Sequence, residues 1–80
     1  MRKFPGRHRA VVSALKNARE KAGLSQRELS RKLKQGVTYI QEIESGERGV
    51  QTAEFIEIAL ACDRNPAELI DEVTQIRRAK

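Results

Sequence analysis

The side chains that could do covalent or metal chemistry are few in this 80-residue sequence, and they are scattered. The single histidine, His8, and the single cysteine, Cys62, lie near opposite ends of the chain. The carboxylates of the C-terminal half are spread over the outer faces of predicted helices. General acid–base catalysis and metal binding both require such groups to converge. We therefore predict that the protein is not an enzyme, that it binds no metal or cofactor, and that Cys62 is a buried core thiol.

The basic side chains, in contrast, are concentrated in one half of the chain. Residues 1–35 carry 11 Lys and Arg against 2 Asp and Glu, whereas residues 36–80 carry 5 against 9. The whole chain has a net charge of +5. Crowded positive charge is typical of proteins with a polyanionic partner, and nucleic acid is the usual one. A merely soluble basic protein remains the alternative at this point.

Length and composition restrict the class of protein. Eighty residues suffice for one domain with a small core. A single cysteine excludes an internal disulfide or a multi-cysteine zinc site, which favours a reducing, cytoplasmic setting. The longest apolar run, residues 58–62, is far too short to cross a bilayer. The N-terminus is basic but has no apolar stretch behind it, so we do not expect it to be a secretory signal. We expect no membrane partner.

Apolar residues recur at helical spacing along the chain. A first helix is predicted over residues 9–22 and ends before Gly23. Ser25 and Glu28 form the pattern of a capping box that opens a second helix. A third helix is predicted over residues 37–45, closed by Gly46.

Two more helices follow. Thr52 is the expected N-cap of the fourth helix, and a second capping pattern at residues 65–68 opens the fifth. The sequence therefore predicts an all-α, compact five-helix domain over residues 9–74. A basic arm, residues 1–8, precedes it, and a basic tail, residues 75–80, follows it. Ten apolar residues are assigned to the core by the same spacing: Leu15, Ala18, Leu24, Leu29, Leu33, Ile40, Ile43, Phe55, Ala59 and Leu69.

The second and third helices are joined by the three-residue turn 34–36, which is the geometry of a helix-turn-helix. The pattern extends over about residues 13–73. Its strongest elements are Arg19, Gly23-Leu24-Ser25-Gln26, Glu28-Leu29, Ile40 and Ile43-Glu44-Ser45-Gly46-Glu47-Arg48. In this register the chain resembles the Cro/repressor-type helix-turn-helix family, also called the Xre family. The resemblance implies a lambda-repressor-like fold and sequence-specific binding of double-stranded DNA by a transcriptional regulator, with repression expected.

The chain departs from the family pattern at the turn. Lys34 stands where the family usually has glycine, and Gln35 where it usually has an apolar residue. Gly36 replaces the serine or threonine that normally caps the third helix. Cys62 and Arg64 stand where the family favours larger apolar residues.

The outer face of the third helix is the candidate base-reading surface. If Ile40 and Ile43 point inward, the residues on the other side are free to contact bases, and in relatives this face enters the major groove. Val37 could touch a thymine methyl, Gln41 could pair with adenine, and Glu42 could accept from cytosine. The predicted base-reading residues are Val37, Thr38, Gln41 and Glu42. A solvated helix face without a reading role is the alternative.

Other residues are assigned to phosphate contacts or to structure. Gln26 matches the family's phosphate-contacting glutamine at the start of the second helix, where the backbone also favours anions. The predicted phosphate contacts are Gln26, Arg27, Lys34, Gln35 and Arg48. The resemblance further implies a structural salt bridge between Arg19 and Glu44, which would leave both residues out of DNA contact.

A homodimer is expected, because one short reading helix covers too few base pairs for useful specificity. The predicted interface consists of Ile56, Leu60, Ile70 and Val73. Ile56, Ile70 and Val73 could each instead complete the core of the monomer, and Leu60 could be an isolated surface leucine. The alternative is an antitoxin-like protein-interaction module on the same fold, with a toxin-like partner and weak or no DNA binding. The acidic outer face of the third helix and the excess of 9 acidic over 2 basic residues within 36–76 favour that alternative.

Overall fold

The computed structural model describes residues 6–78, which form five α-helices and, within that range, no strand. They are α1 (Gly6–Lys21), α2 (Gln26–Lys32), α3 (Tyr39–Ser45), α4 (Thr52–Ala61) and α5 (Pro66–Arg78). The all-α, five-helix prediction is confirmed. α1 packs along α5, α2 against α3, and α4 contacts α1, α2 and α5.

The helix boundaries differ from those read off the sequence. α1 begins at Gly6, so residues 6–8 of the expected N-terminal arm are helical. α5 continues to Arg78, so residues 75–78 of the expected tail are helical as well. The remainder of the arm and of the tail, residues 1–5 and 79–80, lies outside the described residues. α3 begins at Tyr39, and residues 37 and 38 belong to the turn that precedes it.

Capping explains where the second and fourth helices begin. The Ser25 hydroxyl accepts from the Glu28 N–H at 3.0 Å, and Glu28 Oε1 accepts from the Ser25 N–H at 2.8 Å, which confirms the capping box. α4 is different, because its N-cap is Gln51 and Thr52 is its first helical residue. Glu54 Oε1 accepts from the Gln51 N–H at 2.9 Å.

Each of the first four helices is followed, within one or two residues, by a residue in the left-handed backbone conformation. Two of these residues are the expected glycines, Gly23 (φ 76°) and Gly46 (φ 86°). The other two are Lys34 (φ 60°) and Asp63 (φ 61°), where a side chain makes the conformation costly by about 1 kcal/mol. At Lys34 the cost is offset by two hydrogen bonds at 2.9 Å, from the Lys34 N–H to the Arg31 carbonyl and from the Gln35 N–H to the Ser30 carbonyl.

The core is aliphatic, with Tyr39 and Phe55 as its aromatic members. Eight of the ten predicted core residues are buried, and Leu24 and Leu33 are half-buried against them. Cys62 is buried as predicted, at 3% exposure. Among the described residues, the buried hydrophobic ones that the periodicity did not assign to the core are Ala10, Ala14, Tyr39, Ile58 and Val73. The assignment of Val73 to an interface was wrong, because Val73 completes the core between α5 and its neighbours.

Candidate nucleic-acid interface

A hydrogen-bonded network at the start of α2 ties together α1, α2 and α3. The Arg19 guanidinium donates to both carboxylate oxygens of Glu44, at 2.7 Å and 3.1 Å, and to the Leu24 carbonyl at 2.8 Å. The Gln26 side-chain amide donates to Glu44 Oε1 at 2.7 Å. Both ion-pair side chains are at most 10% exposed. The hydrogen bond to Glu44 raises the pKa of Arg19 above its usual value.

This network orients the side chain of Gln26, one of the five residues assigned to phosphate contacts. Gln26 is the first residue of α2 and is half-buried, so its amide lies at the edge of the domain. A carboxamide carries two N–H groups and one carbonyl oxygen. The bond to Glu44 uses one N–H group and orients the amide plane.

Two of the four residues assigned to base reading, Val37 and Thr38, lie in the connection before α3, and the other two, Gln41 and Glu42, lie in its first helical turn. Val37, Thr38 and Gln41 are exposed, and Glu42 is half-buried. The Thr38 hydroxyl donates to Glu42 Oε2 at 2.9 Å, so these two side chains hold each other. One carboxylate oxygen of Glu42 is thereby engaged within the protein.

The residues assigned to phosphate contacts fall into two groups. Arg27, Lys34 and Gln35 are exposed on α2 and its turn. Arg48 is half-buried and engaged, because its guanidinium carbon lies 4.7 Å from the centre of the Tyr39 ring and it pairs with Glu54 at 3.2 Å. Burial raises the pKa of the Tyr39 phenol, and the charge of Glu54 adds to the effect.

Sequence reasoning missed three residues that position this surface. Tyr39 is buried at the start of α3, and its spacing of four from Ile43 was the available signal. Lys32 donates to the Ala61 carbonyl at 2.7 Å, which ties α2 to the end of α4. Ser30 is fully buried, and its hydroxyl accepts from the Ile40 N–H at 3.1 Å. No local sequence pattern signals the last two contacts.

The remaining predicted site residues lie on α4 and α5. Ile56, Leu60 and Ile70 are large apolar side chains with 41%, 58% and 50% exposure. Arg64, which replaces an apolar residue of the family pattern, pairs with Glu72 of α5. Within residues 6–78, no group of three potential metal ligands converges, and no helix is long and apolar enough to span a bilayer.

The comparisons with known proteins agree with this geometry. The helix-turn-helix family model matches residues 15–69. The chain therefore belongs to the Cro/C1-type helix-turn-helix family, as the sequence predicted. Membership of this family supports a role as a DNA-binding transcription regulator. Proteins with this fold are typically not enzymes.

Solved structures show the same fold. An XRE-family like protein from Pseudomonas syringae pv. tomato str. DC3000 is 26% identical with a TM-score of 0.82, over 88% of this chain and 85% of that one. The clp gene regulator ClgR from Corynebacterium glutamicum is similar in two structures. One is 24% identical with a TM-score of 0.77, over 90% of this chain and 77% of that one. The other is 23% identical with a TM-score of 0.76, over 92% and 95%. No curated protein matches the sequence significantly.

Proposed function

We propose that the protein is a sequence-specific regulator of transcription, most simply a repressor, that reads double-stranded DNA with α3. The observation that carries the proposal is the surface formed by the exposed Val37, Thr38 and Gln41 together with the half-buried Glu42. The Arg19–Glu44–Gln26 network holds this surface beside a basic α2. Chromosomal DNA as the partner places its action in the cytoplasm. No cofactor and no catalytic residue take part.

The base contacts follow from side-chain chemistry. Gln41 is exposed and offers the paired donor and acceptor that match adenine in the major groove. Val37, half exposed, contacts a thymine methyl, and Thr38 hydrogen-bonds a base or a phosphate. Glu42 keeps one carboxylate oxygen outside its bond with Thr38 and accepts from a cytosine amino group.

Phosphate contacts come from α2 and the turn. Arg27 and Lys34 supply the charge, and Gln35 and Gln26 supply neutral donors. Arg48 contributes as well, because its side chain remains 41% exposed while it pairs with Glu54. Because phosphate contacts displace counterions, binding must weaken steeply with salt.

A homodimer completes the proposal. Ile56, Leu60 and Ile70 expose apolar surface on α4 and α5, which carry no proposed DNA contact. Burying these side chains between two copies would present two α3 helices to half-sites about 34 Å apart, one turn of B-DNA.

A second candidate function is a protein-interaction module that binds a toxin-like partner. The same exposed apolar side chains of α4 and α5 favour it, together with the bond that turns Glu42 toward Thr38. This candidate predicts little or no affinity for any duplex.

Selection of bound sequences from random duplex DNA, followed by a salt titration, separates the two candidates. We expect a defined consensus with a bias for adenine opposite Gln41. The logarithm of the affinity should fall linearly with the logarithm of the salt concentration, by about 0.9 per phosphate contact. Failure to enrich any sequence, with no salt-dependent affinity for duplex DNA, would reject the DNA-binding proposal in favour of the interaction module.

A further inference from the structure

Ser30 is a polar residue buried in the interior of α2. Its exposure is 0%, and its neighbour Leu29 is 1% exposed. A buried hydroxyl requires hydrogen-bond partners, because an unpaired one loses its interaction with water. Ser30 has a partner outside its own helix, since its Oγ accepts from the Ile40 N–H of α3 at 3.1 Å.

The start of α3 lacks the cap that its own residues would ordinarily supply. The N-cap residue is Thr38, whose side chain makes no capping bond and whose hydroxyl instead donates to Glu42. Gly36, which replaces the capping serine or threonine of the family pattern, offers only its carbonyl, which accepts from the Tyr39 N–H at 3.0 Å. The Ile40 N–H is one of the first-turn donors that an α-helix leaves without a helical acceptor.

Ser30 also holds the other end of the connection. Its backbone carbonyl accepts from the Gln35 N–H at 2.9 Å, immediately after the left-handed Lys34. One residue therefore binds the chain at Gln35 and again at Ile40. The residues between these two anchors include Val37 and Thr38, which are among the proposed base contacts.

We propose that Ser30 is a positioning residue for DNA recognition, which supplies the N-cap of the reading helix from α2. This inference rests on the proposed DNA-binding function. The hydroxyl sets the distance and the rotation of α3 relative to α2, so the base-reading and phosphate-binding elements act as one rigid unit. Ser30 itself, being fully buried, contacts no DNA.

The test uses Ser30→Ala in the full chain, a substitution that removes the hydroxyl and keeps the carbonyl bond to Gln35. Loss of the cap should speed hydrogen exchange at the Ile40 amide by about 5- to 30-fold. The dissociation constant for the duplex selected by the wild-type protein should rise about fivefold or more, while that for an unrelated duplex stays unchanged. Val73→Ala is the matched control, because it removes buried contacts on α5 without touching α3.

The specificity ratio is the dissociation constant for the unrelated duplex divided by that for the selected duplex. A purely structural role would lower the stability of both variants and leave this ratio unchanged under conditions where each variant is folded. A positioning role predicts that the specificity ratio falls in Ser30→Ala and stays unchanged in Val73→Ala. The inference would be overturned if the Ile40 amide of Ser30→Ala exchanged at the same rate as in the wild type, or if the specificity ratio of this variant were unchanged. Failure of the wild-type protein to bind any duplex would instead remove the proposed function, and the exchange of Ile40 would still decide whether Ser30 caps α3.

Discussion

The side-chain amide of Gln26 and the carboxylate of Glu44 are joined by a 2.7 Å hydrogen bond between the first residue of α2 and a residue near the end of α3. Glu44 is in turn held by two bonds from Arg19. A residue proposed to contact the phosphate backbone is thus oriented by an ion pair that reaches into the domain. Because ordering a side chain on binding costs conformational entropy, such preorganisation favours affinity.

Gln26→Ala should weaken binding to every duplex by a few fold without changing the salt dependence, because a neutral amide releases no counterion. Arg27→Ala is the charged comparison and should lower the slope of log affinity against log salt by about 0.9. Salt titrations of both variants on one duplex check the pair. A reduced slope in Gln26→Ala would contradict the assignment of a neutral contact.

Glu44→Ala should destabilise the domain by about 3 kcal/mol, because it leaves the largely buried Arg19 guanidinium without its buried carboxylate partner. A double-mutant cycle with Arg19→Ala, followed by urea unfolding, measures the coupling. We expect the double variant to be less destabilised than the sum of the two single variants. Strict additivity would mean that the two side chains do not interact.

Lys34→Gly and Asp63→Gly should each stabilise the domain by about 1 kcal/mol, since glycine adopts the left-handed conformation without steric cost. Only Lys34→Gly should also weaken DNA binding and lower its salt dependence, because Asp63 lies in the α4–α5 connection and is not a proposed DNA contact. Thermal unfolding and a salt titration of both variants test the two effects separately. Equal DNA affinity in the two variants would exclude Lys34 as a phosphate contact.

Stability should decline at alkaline pH. Burial raises the pKa of the Cys62 thiol and of the Tyr39 phenol, so both groups are held neutral in the folded state. Their contribution is fully present below the ordinary pKa of a thiol, about 8.5, and is lost as the pH rises through the raised values in the folded protein. Urea unfolding between neutral and alkaline pH measures the decline. In Cys62→Ala its onset should move toward the ordinary pKa of tyrosine, about 10.

Leu60→Glu should convert the proposed dimer into a monomer with little effect on folding, because Leu60 is 58% exposed. Val37→Glu places the same charge on another exposed apolar residue, 52% exposed, and should leave the association state unchanged. Sedimentation at micromolar concentration compares the two variants with the wild type. A wild-type monomer that stays monomeric with DNA would exclude this dimer.

Local sequence patterns were sufficient for the architecture. The Ser25–Glu28 capping box and the glycines at 23 and 46 mark helix ends through bonds within a few residues, and apolar spacing identified most of the core. The pairing of Arg19 with Glu44 came from the family resemblance, since nothing in their spacing of 25 residues would indicate it.

The rest depended on contacts that spacing does not encode. The bonds from Ile40 to Ser30 and from Lys32 to Ala61 form only when separate helices have packed. The N-terminal extension of α1 to Gly6 had no apolar repeat to signal it. Val73 could belong to a core or to an interface on periodicity alone, and only its burial decides between them.

The placement of Tyr39 has a spectroscopic consequence. The sequence contains no tryptophan and one tyrosine, so Tyr39 dominates the intrinsic fluorescence of the protein. That ring lies at the first residue of α3, with the Arg48 guanidinium 4.7 Å from its centre. Any rearrangement of Arg48 when DNA is bound would alter the emission of this single fluorophore, so the helix proposed to read the bases carries its own optical reporter.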